Sequence, residues 1–347
     1  MSVLFAILLF SFLIFIHEFG HFAAAKLSGV QVNEFALFMG PAIFKKQAGE
    51  TLYTIRSIPI GGYCAMEGED EDTDNPRSFQ KAAVWKRLVI LVAGAAMNFV
   101  AGVLLLGIVY APAQQFAVPV IDFFEEGCTL EGEQGLQAGD RILELDGEKI
   151  YLPSDFESLL DIKGGNVHDL LVERNGEEVL LEDVLMEHRQ FADGKRFGFS
   201  FSVMEATFST KVSYVMKSTL NNIRLVRLSL GMLLTGQAGV KDMSGPVGIV
   251  QMMSETAESS PTKQDALLNM LYFGGFLAIN LAVMNLLPVP ALDGGRVVGL
   301  LVTTAVETVT RKKINPKYEG YLHAAGMLLL LALMAVILFK DIFSLFK

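Results

Sequence analysis

The chain has 347 residues and a formal charge of −10, with 52% hydrophobic but only 19% charged residues and a mean hydropathy of +0.42. Ordinary soluble domains carry about 25% charged residues, so the composition excludes a purely soluble protein. The acidic balance, with no basic stripe to meet phosphates, excludes nucleic acid as a partner.

A hydrocarbon core of about 30 Å takes roughly 20 apolar residues of helix, and four stretches reach or nearly reach that length. The first runs from Val3 to about Leu27. It lacks the basic leader and small-residue cleavage site of a signal peptide, and it is interrupted by His17-Glu18-Phe19-Gly20-His21. Next, Leu52–Arg56 and Tyr63–Met66 read as short strands joined through Pro59, Gly61 and Gly62. The cluster Glu67, Glu69, Asp70, Glu71, Asp72 and Asp74 then reads as solvated loop. The second span runs from Leu88 to Ala111, opened by Trp85, Lys86 and Arg87 as interfacial anchors. Within it Gly94, Asn98 and Gly102 share one face and suit close helix packing.

From Gln114 to Ala266, 25 Asp/Glu stand against 13 Lys/Arg. Short alternating runs (Arg141–Leu145, Asp169–Glu173, Glu178–Leu181, Phe197–Phe201) are broken by Asp146-Gly147, Gly164-Gly165 and Asn175-Gly176, which are hairpin-type signals. Asp155–Leu160 reads as a short helix start. These features predict a compact β-rich domain over 116–203. Thr207–Leu234 spaces apolar residues helically with Lys211, Lys217, Arg224 and Arg227 between them. Such a basic amphipathic helix lies on a membrane surface or packs on the catalytic part. The third span runs from about Leu268 to Leu287, and the fourth from His323 or Ala324 to Phe339.

The expected architecture is a membrane α-helical protein of about four transmembrane helices with an inserted β-rich domain. It divides into 1–115 (first two spans and β-loop), 116–203 (β-rich domain), 204–262 (amphipathic helical connector) and 263–347 (last two spans). Orientation follows from short basic loops. Arg311, Lys312, Lys313 and Lys317 between spans three and four, and the basic residues between spans one and two, place both segments in the cytoplasm. The acidic β-rich segment then lies outside. Cys64 and Cys128 fall on opposite sides, which argues against a disulfide framework.

His17 and His21 are four apart and share one helix face, the spacing at which two imidazoles grip one zinc ion. Glu18 beside them can take a proton from the attacking water. Inside an apolar span, ionisable groups are costly and mark function by default. Zinc hydrolases use three protein ligands and leave a fourth position for water, so a third ligand is required. His323 at the start of span four is one candidate. Asp293 is the better one, in Asn285-Leu-Leu-Pro-Val-Pro-Ala-Leu-Asp-Gly294-Gly295, where Pro288 and Pro290 break the end of span three. The alternative for Asp293 is a cap on the following helix.

The pair HEFGH and NLLPVPALDGG resembles the site-2 protease family of intramembrane zinc metalloproteases, in particular its bacterial RseP-like branch. Gly61-Gly62-Tyr63-Cys64-Ala65-Met66 resembles that branch's membrane β-loop, usually GGYVKM, which implies a membrane-associated β-hairpin or loop over about residues 50–68. Gly135-Leu136-Gln137-Ala138-Gly139-Asp140-Arg141-Ile142 resembles a PDZ signature, and Ser244–Ile249 resembles the stretch before the third span. The resemblance implies that His17, His21 and Asp293 bind Zn2+ and that Glu18 is the catalytic general base. Asn285 would hold substrate backbone, and the strands around Gly61, Gly62 and Tyr63 would offer an edge to an unwound substrate segment. It further implies regulated intramembrane proteolysis of single-span membrane proteins, anti-sigma factors already trimmed by another protease or remnant signal peptides, in the bacterial inner membrane. Span two reads Gly94-Ala-Ala-Met-Asn98 where relatives often have a proline. The PDZ-like segment lacks the usual Ser-Pro-Ala before Gly135. The alternative, from another class, is a PDZ-bearing membrane scaffold whose metal site is structural and closed by four protein ligands.

Overall fold

A computed structural model describes residues 2–69, 71, 73–133, 135–191, 194–239, 241–312 and 317–344. Asp70 and Asp72 of the acidic cluster, Gln134 and Lys313 lie outside the described residues. In chain order, α1 (Ser2–Ser28) is followed by β1 (Val32–Ala48), β2 (Thr51–Met66), α2 (Val84–Tyr110), β3 (Gln115–Phe124), β4 (Arg141–Leu145), β5 (Glu148–Lys149), α3 (Pro153–Lys163), β6 (Val167–Arg174), β7 (Glu177–Leu185), β8 (Arg189–Phe191), β9 (Gly194–Arg196) and β10 (Phe199–Glu205). The helices α4 (Phe208–Thr235), α5 (Pro246–Glu258), α6 (Lys263–Asn285), α7 (Asp293–Thr310) and α8 (Lys317–Ser344) complete the chain. The chain forms two compact units, Met1–Leu106 with Ser229–Lys347, and Gly107–Leu228.

Four helices are long and apolar enough to cross a membrane: Val3–Ser28, Val84–Tyr110, Lys263–Asn285 and Gly320–Phe343. In the first unit, Ala6, Leu9 and Leu13 of α1 pack with Met253 of α5 and Met270, Leu277 and Ala278 of α6. Small residues let the backbones meet. A Cβ added at Gly20 would lie 2.4 Å from the carbonyl oxygen of Ala93, and one at Gly102 would lie 3.0 Å from that of Gly275. Leu4, Leu328 and Leu329 stay outward-facing, as expected of spans whose solvent is lipid. The first span ends on a Schellman turn. Gly29 takes φ +83°, its N–H reaches Lys26 O at 3.1 Å, and Val30 N–H reaches Ala25 O at 2.9 Å.

The two short strands expected before the second span prove to be one bent strand, β2, paired along its length with β1, an element the sequence did not reveal. β1 runs through Gly40-Pro41, where left-handed Phe38 (φ 72°) and Gly40 (φ 84°) bend it. Ala36 pairs with both Tyr63 and Thr54, and Thr54 also pairs with Lys45. The hairpin therefore curls into a small sheet in which segment 62–66 forms one edge. Its turn is pinned by Glu50, which accepts from Arg77 at 2.5 Å and from Lys26 at 2.6 Å. These cations, Arg77 foremost, hold its carboxyl down at about 2. The acidic cluster is not all solvated, since Glu69 is ion-paired with Arg296 of α7.

The second unit is built on a six-stranded sheet of order β10-β3-β4-β6-β7, with β5 beside β4. Its core gathers Ile121, Leu136, Ile142, Leu145, Phe156, Leu159 and Leu170. Asp146-Gly147 and Asn175-Gly176 make the tight turns β4–β5 and β6–β7 with all four residues at positive φ. Gly164-Gly165 instead ends α3, Gly164 N–H bonding Leu160 O at 2.9 Å. The last strand begins at Phe199 rather than Phe197. Asp155, fully buried at the start of α3, accepts the Tyr151 and Leu152 N–H groups at 2.8 and 3.0 Å and pairs with Arg224 of α4 at 3.1 Å. Burial raises the Asp155 pKa despite these partners.

Candidate metal centre

Helix periodicity puts His17 and His21 on one face of α1, and the interior of the membrane unit determines what they meet. The Nδ1–H of His21 donates to the carbonyl of Ile90 in α2 at 2.8 Å. In the neutral ring this leaves Nε2 with a lone pair. That Nε2 lies 3.2 Å from the Nε2 of His17. Asp293 completes a triangle, its Oδ2 being 3.3 Å from His17 Nε2 and 3.4 Å from His21 Nε2. Around an ion with arms of about 2.1 Å, tetrahedral donors stand about 3.4 Å apart, so the three atoms fit one zinc. Asp293 Oδ2 is also buried without a hydrogen-bond donor, an arrangement that a cation satisfies.

Asp293 reaches this position through the loop that ends α6. Pro288 and Pro290 stop the helix, and Gly294 fits only because it has no side chain: a Cβ there would lie 2.3 Å from the carbonyl of Leu286. The capping role open to Asp293 is not the one observed. The N-cap of α7 is Leu292, which makes no side-chain cap bond, and Asp293 opens the helix with its carboxylate turned to the imidazoles. His323, the other third-ligand candidate, stands outside the group. Its Nδ1 accepts the N–H of Ala291 at 3.1 Å. Among the described residues no fourth His, Cys, Asp or Glu joins the three, so a closed four-ligand site is not formed.

Glu18 lies beside the triangle and outside it. Gly62 of β2 packs directly on it, since a Cβ there would lie 3.3 Å from Glu18 Cγ. The edge segment of the curled sheet thus runs past Glu18. Gly61 (φ +74°) bends the strand there. The Tyr63 side chain points elsewhere, its hydroxyl meeting Arg56, which also binds Glu34 at 2.7 Å and Gly40 O at 2.7 Å. The Asn285 amide lies 3.5 Å from His17 Nδ1, as does that of Asn98. Sequence reading took Asn98 only as a packing residue, although a polar side chain in an apolar span signals more. Its Oδ1 is buried without a partner. Turning the amide, whose two ends are set by the network, offers that oxygen to His17 Nδ1–H. The role of the Ile90 carbonyl left no trace in the side-chain pattern.

The sequence profile of Peptidase family M50 matches residues 5–333. A protein of Clostridium perfringens that carries the name of a zinc metalloprotease is 35% identical over 347 residues, covering 99% of this chain and 98% of its own length. The regulator of sigma-W protease RasP of Bacillus subtilis is 27% identical over 99% of each chain. The zinc metalloprotease RasP of Bacillus licheniformis is 28% identical, again over 99% of each.

Proposed function

We propose, from the premise that this chain belongs to peptidase family M50, that His17, His21 and Asp293 hold its zinc and that Glu18 is the general base. The chain is a zinc metalloprotease of the site-2 type and a bacterial membrane protein. The triangle of His17 Nε2, His21 Nε2 and Asp293 Oδ2, each side 3.2 to 3.4 Å, is the observation that carries the assignment.

Zinc bound there supplies Lewis acidity to the water and to the scissile carbonyl. Glu18 takes a proton from the water as its oxygen bonds to the carbonyl carbon. The carbon–nitrogen bond then breaks, and Glu18 returns the proton to the leaving amine. The burial of His21 and the near-burial of His17 and Asp293 limit bulk water at the site. A helical peptide bond is shielded and already hydrogen-bonded, so the substrate must unwind. Segment 62–66, the edge of the curled sheet that passes Glu18, offers main-chain partners to the unwound strand. Gly61, Gly62 and Tyr63 serve through their backbone, and Asn285 through an amide that reaches both His17 and the substrate.

The substrates we propose are single-span membrane proteins trimmed beforehand, such as anti-sigma factors or remnant signal peptides, a reading supported by the sigma-W role in the name of the Bacillus relative. The site faces the cytoplasmic side, where Arg311 and Lys312 mark the inner loop. Residues 116–203 form an extracytoplasmic PDZ-like domain, a reading supported by the sheet with its inserted helix α3 and the Gly135–Ile142 signature. Glu18→Gln tests the mechanism: it should keep zinc and lose cleavage of a single-span reporter. Retained cleavage with zinc bound refutes the assignment.

A further inference from the structure

The loop that delivers Asp293 is held from outside. Val289 N–H bonds Leu287 O at 2.7 Å and Leu292 N–H bonds Val289 O at 3.1 Å, while Pro288 and Pro290 have no N–H. Ala291 differs. Its φ is +84°, in the left-handed region that an L residue avoids unless its surroundings enforce it. Its N–H donates to Nδ1 of His323, in the fourth span, at 3.1 Å. The span's backbone also presses on the loop: a Cβ at Gly326, one turn beyond His323, would lie 2.6 Å from the Pro290 carbonyl carbon.

We infer that His323 is a positioning residue, which by accepting the Ala291 N–H holds the left-handed turn that aims Asp293 Oδ2 at His17 and His21. The inference rests on the reading of Asp293 as a zinc ligand. The bonds within the loop leave out the Ala291 N–H, so His323 supplies the hydrogen bond that offsets the cost of its left-handed φ. Without His323 the turn would relax toward negative φ. Two residues downstream, that relaxation moves a carboxylate whose aim tolerates only about 0.5 Å.

The test uses the full chain purified in detergent with its zinc exchanged for cobalt(II), whose visible bands report ligand number and geometry. His323→Leu removes the acceptor, whereas His323→Asn keeps one, as Oδ1, at the same reach. The expected result for His323→Leu is an altered cobalt spectrum, cobalt dissociation at least about 10-fold faster, and a fall in kcat at unchanged KM. His323→Asn should restore all three, and Gly326→Ala, which pushes the span off Pro290, should shift the spectrum as His323→Leu does. A wild-type spectrum and dissociation rate in His323→Leu overturn the inference, as does a His323→Asn as defective as His323→Leu. Asp293→Ala separates the two readings. If it leaves the cobalt spectrum unchanged, the ligand assignment itself fails; if it changes the spectrum while His323→Leu does not, the positioning role alone fails.

Discussion

Replacing Gly94 by alanine places a methyl group inside the metal centre. The new Cβ would lie 2.3 Å from His21 Nε2 and 2.8 Å from both His17 Cε1 and His21 Cδ2. Ordinary van der Waals contact begins near 3.4 Å, so the imidazoles or α2 must retreat by about 1 Å. A catalytic constellation tolerates about 0.5 Å, and a misplacement of about 1 Å costs on the order of 100-fold in rate, equivalent to about 2.7 kcal/mol of transition-state stabilisation. Helix propensity alone points the other way, favouring alanine by up to about 1 kcal/mol. Gly107→Ala is the matched control, since nothing lies within 4 Å of a Cβ there. Both variants are purified, and zinc per chain and the cleavage rate of a single-span reporter are measured. Gly94→Ala should lose at least about 100-fold in kcat/KM together with bound zinc, and Gly107→Ala should match wild type. A Gly94→Ala enzyme with full zinc and wild-type cleavage would refute the packing of α2 over the two histidines.

Asn98→Leu should weaken zinc affinity by about 10- to 100-fold, the usual effect of losing an outer partner of a ligating histidine, measured by competition with a chromogenic chelator; unchanged affinity would show that Asn98 only fills space. Asp155→Ala should destabilise the second unit by about 3–5 kcal/mol, because it leaves the buried Arg224 with only the neutral acceptors Lys149 O and Asn221 Oδ1 and orphans the Tyr151 and Leu152 N–H groups; denaturant unfolding followed by the fluorescence of a dye on Cys128 reads it. Glu50 titrates at about 2, held down by Arg77 and Lys26, so its contribution is complete above the unfolded value of about 4.3 and is lost as pH falls toward 2. The stability difference between wild type and Glu50→Gln should therefore shrink between pH 4.3 and 2, and a pH-independent difference would contradict the pairing.

The site was legible where chemistry forces unusual residues into an unfavourable place. His17, Glu18 and His21 stand out because an apolar span tolerates such groups only for a purpose, and Asp293 because two prolines and two glycines surround it. The four spans were legible by length and apolarity, and Asp146-Gly147 and Asn175-Gly176 by their tolerance of positive φ. What stayed hidden depends on partners far along the chain. β1 shows no clean alternation because Glu34–Leu37 are paired on both sides in the curled sheet while 42–48 are paired on one, and Gly40-Pro41 lies between the two halves. The Ile90 carbonyl carries no sequence signal, since every residue has one. His323 was visible as an imidazole near the site, but only the left-handed Ala291 beneath it distinguishes a ligand from a support. Glu69 read as one solvated acid among six until α7 brought Arg296 to it.

Zinc K-edge absorption on the purified full chain tests the central claim most directly, because it counts imidazoles and distinguishes sulfur from oxygen and nitrogen. The account predicts two imidazoles with oxygen or nitrogen donors at about 2.0–2.2 Å and no sulfur, and the loss of one imidazole in His21→Ala. A sulfur shell at about 2.3 Å, which would implicate Cys64, or a third imidazole, which would bring in His323, would contradict the centre formed by His17, His21 and Asp293.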